Sequence, residues 1–346
     1  MAPADVVRAL LEAYPDGAKE KDKDDHLPLH YASHASVEII SVFEDADDGW
    51  LRISDDRRLQ PLEDGWLPHH LACANNASFQ VVSALLAAHP DGAKAKDVFG
   101  RLPLHRSCDR RTSNCVVSYE VVSALLAAHP DGSKDRDDSG RLPLHFACEN
   151  NAPVEAVTAL LVAYPDGAKA KDNDGRLPLQ SACSHKAPVE VVSALLAAYP
   201  DGAKNKIEDG RLPLHQAFSS KAPLEVVSAL LAAHSDGAKE KDFFGDLPLH
   251  LACANKARVE AVSMLLAAHP DGAKTKNKGG RLPLYHAFTS KAPVEVIITL
   301  LAAHPDAAKE KDKTYGQLPL HWLCANKAPV EVVSALLAAY PDGEAV

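Results

Sequence analysis

Residues Gly140–Asp174 read GRLPLHFACENNAPVEAVTALLVAYPDGAKAKDND. Nearly the same string restarts at Gly175, Gly210, Gly245 and Gly280. A unit of 35 residues cannot bury its own apolar face, so it must stack on its copies. Such a stack offers a long surface and no enclosed pocket, which already bounds what the chain can do.

The phase marker is Leu-Pro-Leu-His or a close variant. It starts at Leu27, Leu67, Leu102, Leu142, Leu177, Leu212, Leu247, Leu282 and Leu318. Successive markers lie 40, 35, 40, 35, 35, 35, 35 and 36 residues apart. The period is therefore 35 with three insertions, and the nine markers define nine units. The units run 27–66, 67–101, 102–141, 142–176, 177–211, 212–246, 247–281, 282–317 and 318–346, after an N-terminal half repeat at 1–26.

Each unit reads as two helices and a turn. Pro143 suits the first position of a helix, where a missing N–H costs nothing. Leu144, Ala147 and Cys148 fall at i, i+3 and i+4, an apolar stripe on a short first helix. Asn150, Asn151 and Ala152 break it, and Pro153 opens a second helix. Glu155 in its first turn complements the positive end of the helix dipole. Val154, Val157, Leu160, Leu161 and Tyr164 continue the helical period. Pro165-Asp166-Gly167 stops this helix, and Gly167 is expected to form a left-handed cap. The polar stretch from Ala168 to Gly175 predicts an extended turn reaching the next unit.

This unit resembles an ankyrin repeat. The family's Thr-Pro-Leu-His-x-Ala signature corresponds to Leu142-Pro143-Leu144-His145-Phe146-Ala147. "VEVVSALLAA" is similar to the family's second helix, and "DGAKxKDxxGR" to its hairpin loop. The match recurs in all nine units. Three departures are consistent. Leu replaces the Thr, so a side-chain N-cap bond is unavailable there. Lys-Ala-Pro replaces the usual Gly-His between the helices. The unit is about two residues longer than the family's usual length. The resemblance implies an all-α solenoid of stacked helix–turn–helix units, antiparallel helix pairs and a curved array with hairpins on one edge.

Composition narrows the function. The 346 residues carry 37 Lys and Arg against 47 Asp and Glu, a net charge of −10. That balance disfavours binding to a phosphate backbone. No stretch approaches the apolar length of a membrane span, and MAPADVVRAL lacks the pattern of a secretory signal. Seven Cys without a CxxC pair suggest a reducing compartment, the cytoplasm or nucleus. The chain begins with a second helix and ends with one of internal type, neither with the polar outer face of a terminal repeat, so the chain is expected to be part of a longer array, the alternative being termini that are covered. Two units are irregular. Trp50, Leu51 and Ile53 sit in an acidic loop of the first, readable as a decayed repeat folded back on the stack or as a protruding contact loop. The stretch Asp109–Val122 carries an insertion between helices.

Two residue ladders invite a chemical reading. His30, His70, His105, His145, His215, His250 and His321 share the fourth marker position, with Gln180 and Tyr285 substituting. A metal needs ligands at about 2.1 Å, too close for side chains one repeat apart. The resemblance instead assigns this His to hydrogen bonds that tie the hairpin turns. Cys73, Cys108, Cys148, Cys183, Cys253 and Cys324 share one slot on the first helix, with Phe218 and Phe288 substituting. This is expected to be a buried hydrophobic slot, leaving Cys115 as the exposed thiol. His89, His129, His234, His269 and His304 exchange with Tyr14, Tyr164, Tyr199 and Tyr340 at the end of the second helix, as half-buried plugs. No nucleophile elbow, phosphate loop or zinc-finger spacing is present, so neither catalytic nor metal residues, and no cofactor, are assigned.

What varies while the frame holds is the residue after the marker and the hairpin tip. The resemblance puts the former on or near the concave face. The expected partner-binding residues are Arg106, Phe146, Gln216, Leu251, His286 and Trp322 after the marker, and Phe99, Phe243, Phe244 and Tyr315 at the tips. Aromatics exposed in otherwise polar loops are typical anchors of binding, although the same rings could pack on the adjacent hairpin. The leading expectation is a non-catalytic, monomeric scaffold that binds one or more proteins on the concave face and hairpin edge. The alternatives are a regulatory or targeting segment of a larger enzyme or channel, and a metal or redox sensor built on the His and Cys ladders.

Overall fold

The structure, a computed structural model, describes residues 66–109, 117–311, 316, 318–325 and 329–339. The half repeat at 1–26, the irregular first unit apart from Trp66, Cys115, Tyr315 and the side chain of Trp322 lie outside the described residues. Among the described residues every regular element is helical. The chain divides into two compact units, Met1–Asn173 and Asp174–Val346.

Within each unit short and longer helices alternate. In Met1–Asn173 the pairs are Pro68–Ala74 with Phe79–Ala88, Pro103–Ser107 with Tyr119–Ala128, and Pro143–Glu149 with Val154–Ala163. In Asp174–Val346 they are Pro178–Ser184 with Val189–Ala198, Pro213–Ser220 with Leu224–Ala233, Pro248–Ala254 with Val259–Ala268, Pro283–Ser290 with Val294–Ala303, and Pro319–Ala325 with Val330–Ala339. Inside a unit, first helices pack on first helices and second helices on second helices. The predicted stripes are the contacts. Leu144, Ala147 and Cys148 are buried, as are Val157, Leu160 and Leu161. Burying each Leu or Val contributes about 1.5–3 kcal/mol, and the repeat distributes that gain along the stack.

The first helix starts at the marker proline, and the absent Thr is compensated from inside the helix. The N–H of Leu142, the N-cap, donates to His145 Nδ1 at 3.1 Å. That is the N3 half of a capping box, made by His instead of Glu or Gln. The helix ends on a left-handed residue. Asn151 has φ 52°, and Ala152 N–H reaches back to Ala147 C=O at 2.9 Å, the long bond of a Schellman turn. Pro153 then caps the second helix.

The second helix stops differently from the sequence expectation. Gly167 does not form a left-handed cap. Pro165–Lys169 is a 3-10 turn, with Gly167 N–H bonded to Tyr164 C=O at 2.9 Å. Closeness of packing explains the glycine. A Cβ there would sit 3.2 Å from Tyr164 Cδ1 and 3.5 Å from Leu144 Cδ2. The left-handed residues lie instead at the turn between helices (Asn76, Asn151, Lys186, Lys221, Lys256, Lys291) and at hairpin glycines such as Gly140.

Candidate functional site

The hairpins are built on one carboxylate. Asp137 Oδ1 accepts the N–H of Ser139 at 3.0 Å and of Arg141 at 2.9 Å. Gly140, at φ 73°, closes the turn by donating to Asp137 C=O at 2.8 Å. Asp97 and Asp242 hold their turns in the same way, through Phe99 and Arg101 and through Phe244 and Asp246. Neighbouring tips are joined by backbone hydrogen bonds. Asp138 N–H donates to Phe99 C=O at 3.0 Å in the first unit. In the second, Phe243 N–H donates to Asp209 C=O at 2.7 Å and Lys278 N–H to Phe244 C=O at 3.0 Å. Side chains at the tips therefore stand on a fixed backbone.

Three tip aromatics are open to solvent: Phe99 at 47 %, Phe243 at 63 % and Phe244 at 55 % exposure. Phe243 and Phe244 meet edge to face with centroids 5.6 Å apart. Lys278, on the next hairpin, places its Nζ 4.4 Å from the Phe243 centroid. Phe99 has Arg101 at 5.6 Å and Arg106 at 5.9 Å. Phe243 thus touches the adjacent hairpin and Phe99 its own, yet about half of each surface or more stays free.

The residue after the marker is corrected for three units. Arg106, Phe146 and Gln216 are buried, not open. Arg106 forms an ion pair with Asp97 and lies 4.4 Å from the Trp66 ring. Phe146 is covered by the guanidinium groups of Arg101 at 4.9 Å and Arg141 at 4.1 Å. Gln216 accepts from Ser184 Oγ. At Phe146 the arginine that precedes the marker, Arg141, folds over the position and closes it. Leu251 and His286 remain partly exposed. Beside His286, Asn277 Nδ2 donates to Asp246 Oδ1 at 2.8 Å, and the His250 ring lies 5.6 Å away.

The histidine ladder is a set of neutral clamps. His105 Nδ1 accepts from Leu102 N–H at 3.0 Å, and its Nε2 lies 3.3 Å from Arg141 C=O on the following hairpin. His70, His215 and His250 repeat the pattern with Arg101, Asp246 and Arg281 carbonyls. With Nδ1 accepting, the proton sits on Nε2. Burial pushes His70, His105 and His250 down to about 4, against the upward pull of nearby carboxylates and carbonyls. Gln180 keeps the first bond, its Oε1 accepting from Leu177 N–H at 2.9 Å, and its Nε2 donates to an earlier carbonyl of the following turn, Asn205 C=O, at 3.0 Å.

Cys73, Cys108, Cys148, Cys183 and Cys253 are buried free thiols. Burial pushes Cys108 and Cys183 up to about 12, well away from the reactive thiolate range. Cys324 departs from the expected buried slot and is exposed. Among the described residues, no group of three His, Cys, Asp or Glu side chains is placed to hold a metal. A cavity of about 40 Å³ opens beside Tyr285, where the phenol replaces the ladder histidine. It has room for waters. No described helix is long and apolar enough to cross a membrane.

A family model for ankyrin repeats, in three-copy form, matches residues 69–174, 116–209, 144–240 and 214–311. The chain belongs to the ankyrin repeat family. Among solved structures, its ankyrin fold is similar to the crystal structure of the ankyrin repeat domain of Bcl-3, a member of the IkappaB protein family. That similarity has a TM-score of 0.50 and 24 % identity, and covers 70 % of this chain and 99 % of that one. At such identity the likeness concerns the fold. No curated protein matches the chain. Ankyrin repeats are in general protein–protein interaction modules, which fits a surface of fixed, exposed aromatics and neutral structural histidines.

Proposed function

We propose that this ankyrin array is a non-catalytic, monomeric scaffold that binds a partner protein through its hairpin edges. In the first unit the contact centres on Phe99. In the second it centres on Phe243 and Phe244, with Leu251 and His286 beside them on the first-helix face. The observation that carries the reading is the exposure of these aromatics on tips whose backbones are bonded hairpin to hairpin. A rigid platform binds without a large loss of loop entropy, so modest contacts can add. The free thiols fit a reducing compartment, the cytoplasm or nucleus. The net charge of −10 speaks for a protein partner over nucleic acid.

The test is paired affinity capture from native lysate with the unaltered chain and a Phe99→Ala, Phe243→Ala, Phe244→Ala variant. Exposed substitutions of this kind change stability by within about 0.5 kcal/mol, so the variant stays folded. Partners retained by the unaltered chain should be lost from the variant. Equal recovery of every partner by both baits would remove the tips as the binding site.

A further inference from the structure

Four lysines mark the turn between helices in the second compact unit. Lys186, Lys221, Lys256 and Lys291 follow one another at intervals of 35 residues. All four have left-handed backbones, with φ of 61°, 61°, 59° and 57°. That region disfavours a residue with a Cβ, and glycine or asparagine fills it most cheaply. The first unit places Asn76 and Asn151 at the same position. A long basic side chain at each of these four described turns is therefore unfavourable for the fold alone, and outliers of this kind concentrate where a site is built.

The side chains are also unspent. All four lysines are exposed, and none takes part in an ion pair or side-chain hydrogen bond. Lys94, Lys134, Lys169, Lys204, Lys239 and Lys274 on the 3-10 turns, by contrast, each bind an Asp three residues before. Between two of the free lysines lies a cleft of about 490 Å³, whose charged lining is Lys221, Lys256 and Arg258 against the single carboxylate of Glu225.

We propose that this lysine edge is a docking surface for an extended acidic segment of a partner protein, separate from the aromatic tips. Two arguments select a polypeptide. Helices pack about 8–10 Å apart, and an extended chain advances about 3.3 Å per residue, so an acidic residue at every third position matches one lysine per repeat. Further, Glu190, Glu225, Glu260 and Glu295 lie exposed four residues beyond each lysine. They alternate with the lysines along the chain, which disfavours a broad polyanion such as a duplex.

The probe is a fluorescein-labelled 12-residue Gly/Ser peptide with Asp at every third position, followed by fluorescence anisotropy at low salt, where screening is weak. The protein is the full chain and its K186G/K221G/K256G/K291G variant. Glycine removes the charge and relieves the backbone, so the variant folds; a K186N/K221N/K256N/K291N variant repeats the test with the residue found in the first unit. Exposed ion pairs contribute about twofold each, so the loss of four should weaken the peptide roughly fifteenfold. A K204S/K239S/K274S variant, with nearly the same change in charge on another edge, should bind as the unaltered chain does. Equal binding by the glycine and unaltered chains overturns the proposal. So does equal binding of a peptide with its four Asp adjacent, or tighter lysine-dependent binding of a 12-nucleotide oligo-dT.

Discussion

Replacing His105 by Gln isolates the energetic role of the histidine ladder. His105 is buried, neutral and held at about 4 by its burial. In the unfolded chain it would titrate near 6.5. Its folded value is lowered, so its stability contribution is complete above pH 6.5. It is lost as pH falls from 6.5 towards 4, because the unfolded state takes up the proton first. Between pH 7.5 and 5.0 this amounts to about 2 kcal/mol for the single site. Gln180 shows that an amide can bridge the N-cap and the following turn in this fold, with Oε1 accepting from Leu177 N–H and Nε2 donating to Asn205 C=O. His105→Gln should then cost less than about 1 kcal/mol at pH 7.5. It should remove about 2 kcal/mol of the loss on acidification.

The assay is urea unfolding of the unaltered and His105→Gln chains at pH 7.5 and 5.0, followed by far-UV circular dichroism. Amide exchange at Leu102 supplies the local readout, because its N–H is the donor to His105 Nδ1. The unaltered chain should lose protection there on acidification and the variant should keep it. If both chains lose stability in parallel between the two pH values, His105 is not the buried neutral clamp described.

Iodoacetamide labelling of the native chain, read by mass spectrometry, should modify Cys324 quickly and leave Cys73, Cys108, Cys148, Cys183 and Cys253 unmodified until urea is added; rapid native labelling of Cys108 would contradict its burial. Lys221→Gly should raise stability by about 0.5–1 kcal/mol by relieving the left-handed backbone, measured by urea midpoint; a loss would mean that Lys221 supports the fold. Gly92→Ala should be far more harmful than Gly237→Ala. A Cβ at 92 would fall 2.2 Å from His69 Cε1, whereas at 237 the nearest atom is 3.1 Å away, and Ala307 already fills the matching place in a later unit. Equal thermal midpoints for the two variants would show that His69 moves aside freely.

Period, helix pairing and apolar stripes were legible because each follows from local spacing: Pro143 starts, Val157 and Leu160 bury, the Asn151 turn breaks. What escaped depended on neighbours distant in sequence. Phe146 looks free as a letter that varies between units, yet Arg101, from the preceding hairpin, and Arg141 lie across it. A constant residue can close a variable one, and no single unit displays that. Gly167 misled for a related reason. Its φ is ordinary, and the crowding comes from Tyr164 and Leu144. The tips were legible because Phe99, Phe243 and Phe244 break the polar pattern of the hairpin loops.

The buried Arg106 gives the first unit a link between frame and tip. Asp97 uses both carboxylate oxygens: Oδ1 accepts the N–H of Phe99 at 2.9 Å, and Oδ2 accepts Arg106 Nε at 2.9 Å. Burial would raise Asp97, but the Arg101 N–H and the Arg106 guanidinium outweigh it and hold the carboxyl below its usual range. Asp97→Asn separates the two roles. Asn277, at the equivalent place, accepts Arg281 N–H at 3.0 Å through its Oδ1, so the turn under Phe99 should survive. The Arg106 cation, however, loses its closest counter-ion inside the protein. Breaking such a pair from one side costs about 3–5 kcal/mol, and Asp109, 3.7 Å from Arg106, draws the value to the lower end. Replacing both partners, Asp97→Asn with Arg106→Met, should recover most of the loss, since apolar substitutes for a buried pair are often near neutral. Urea unfolding of the two single variants and the double variant closes the cycle. A cost below about 1 kcal/mol for Asp97→Asn would mean that the Arg106 charge is solvated after all. It would then be available to a partner beside Phe99, and the division between closed frame and open tip would fail at the unit where it is drawn most sharply.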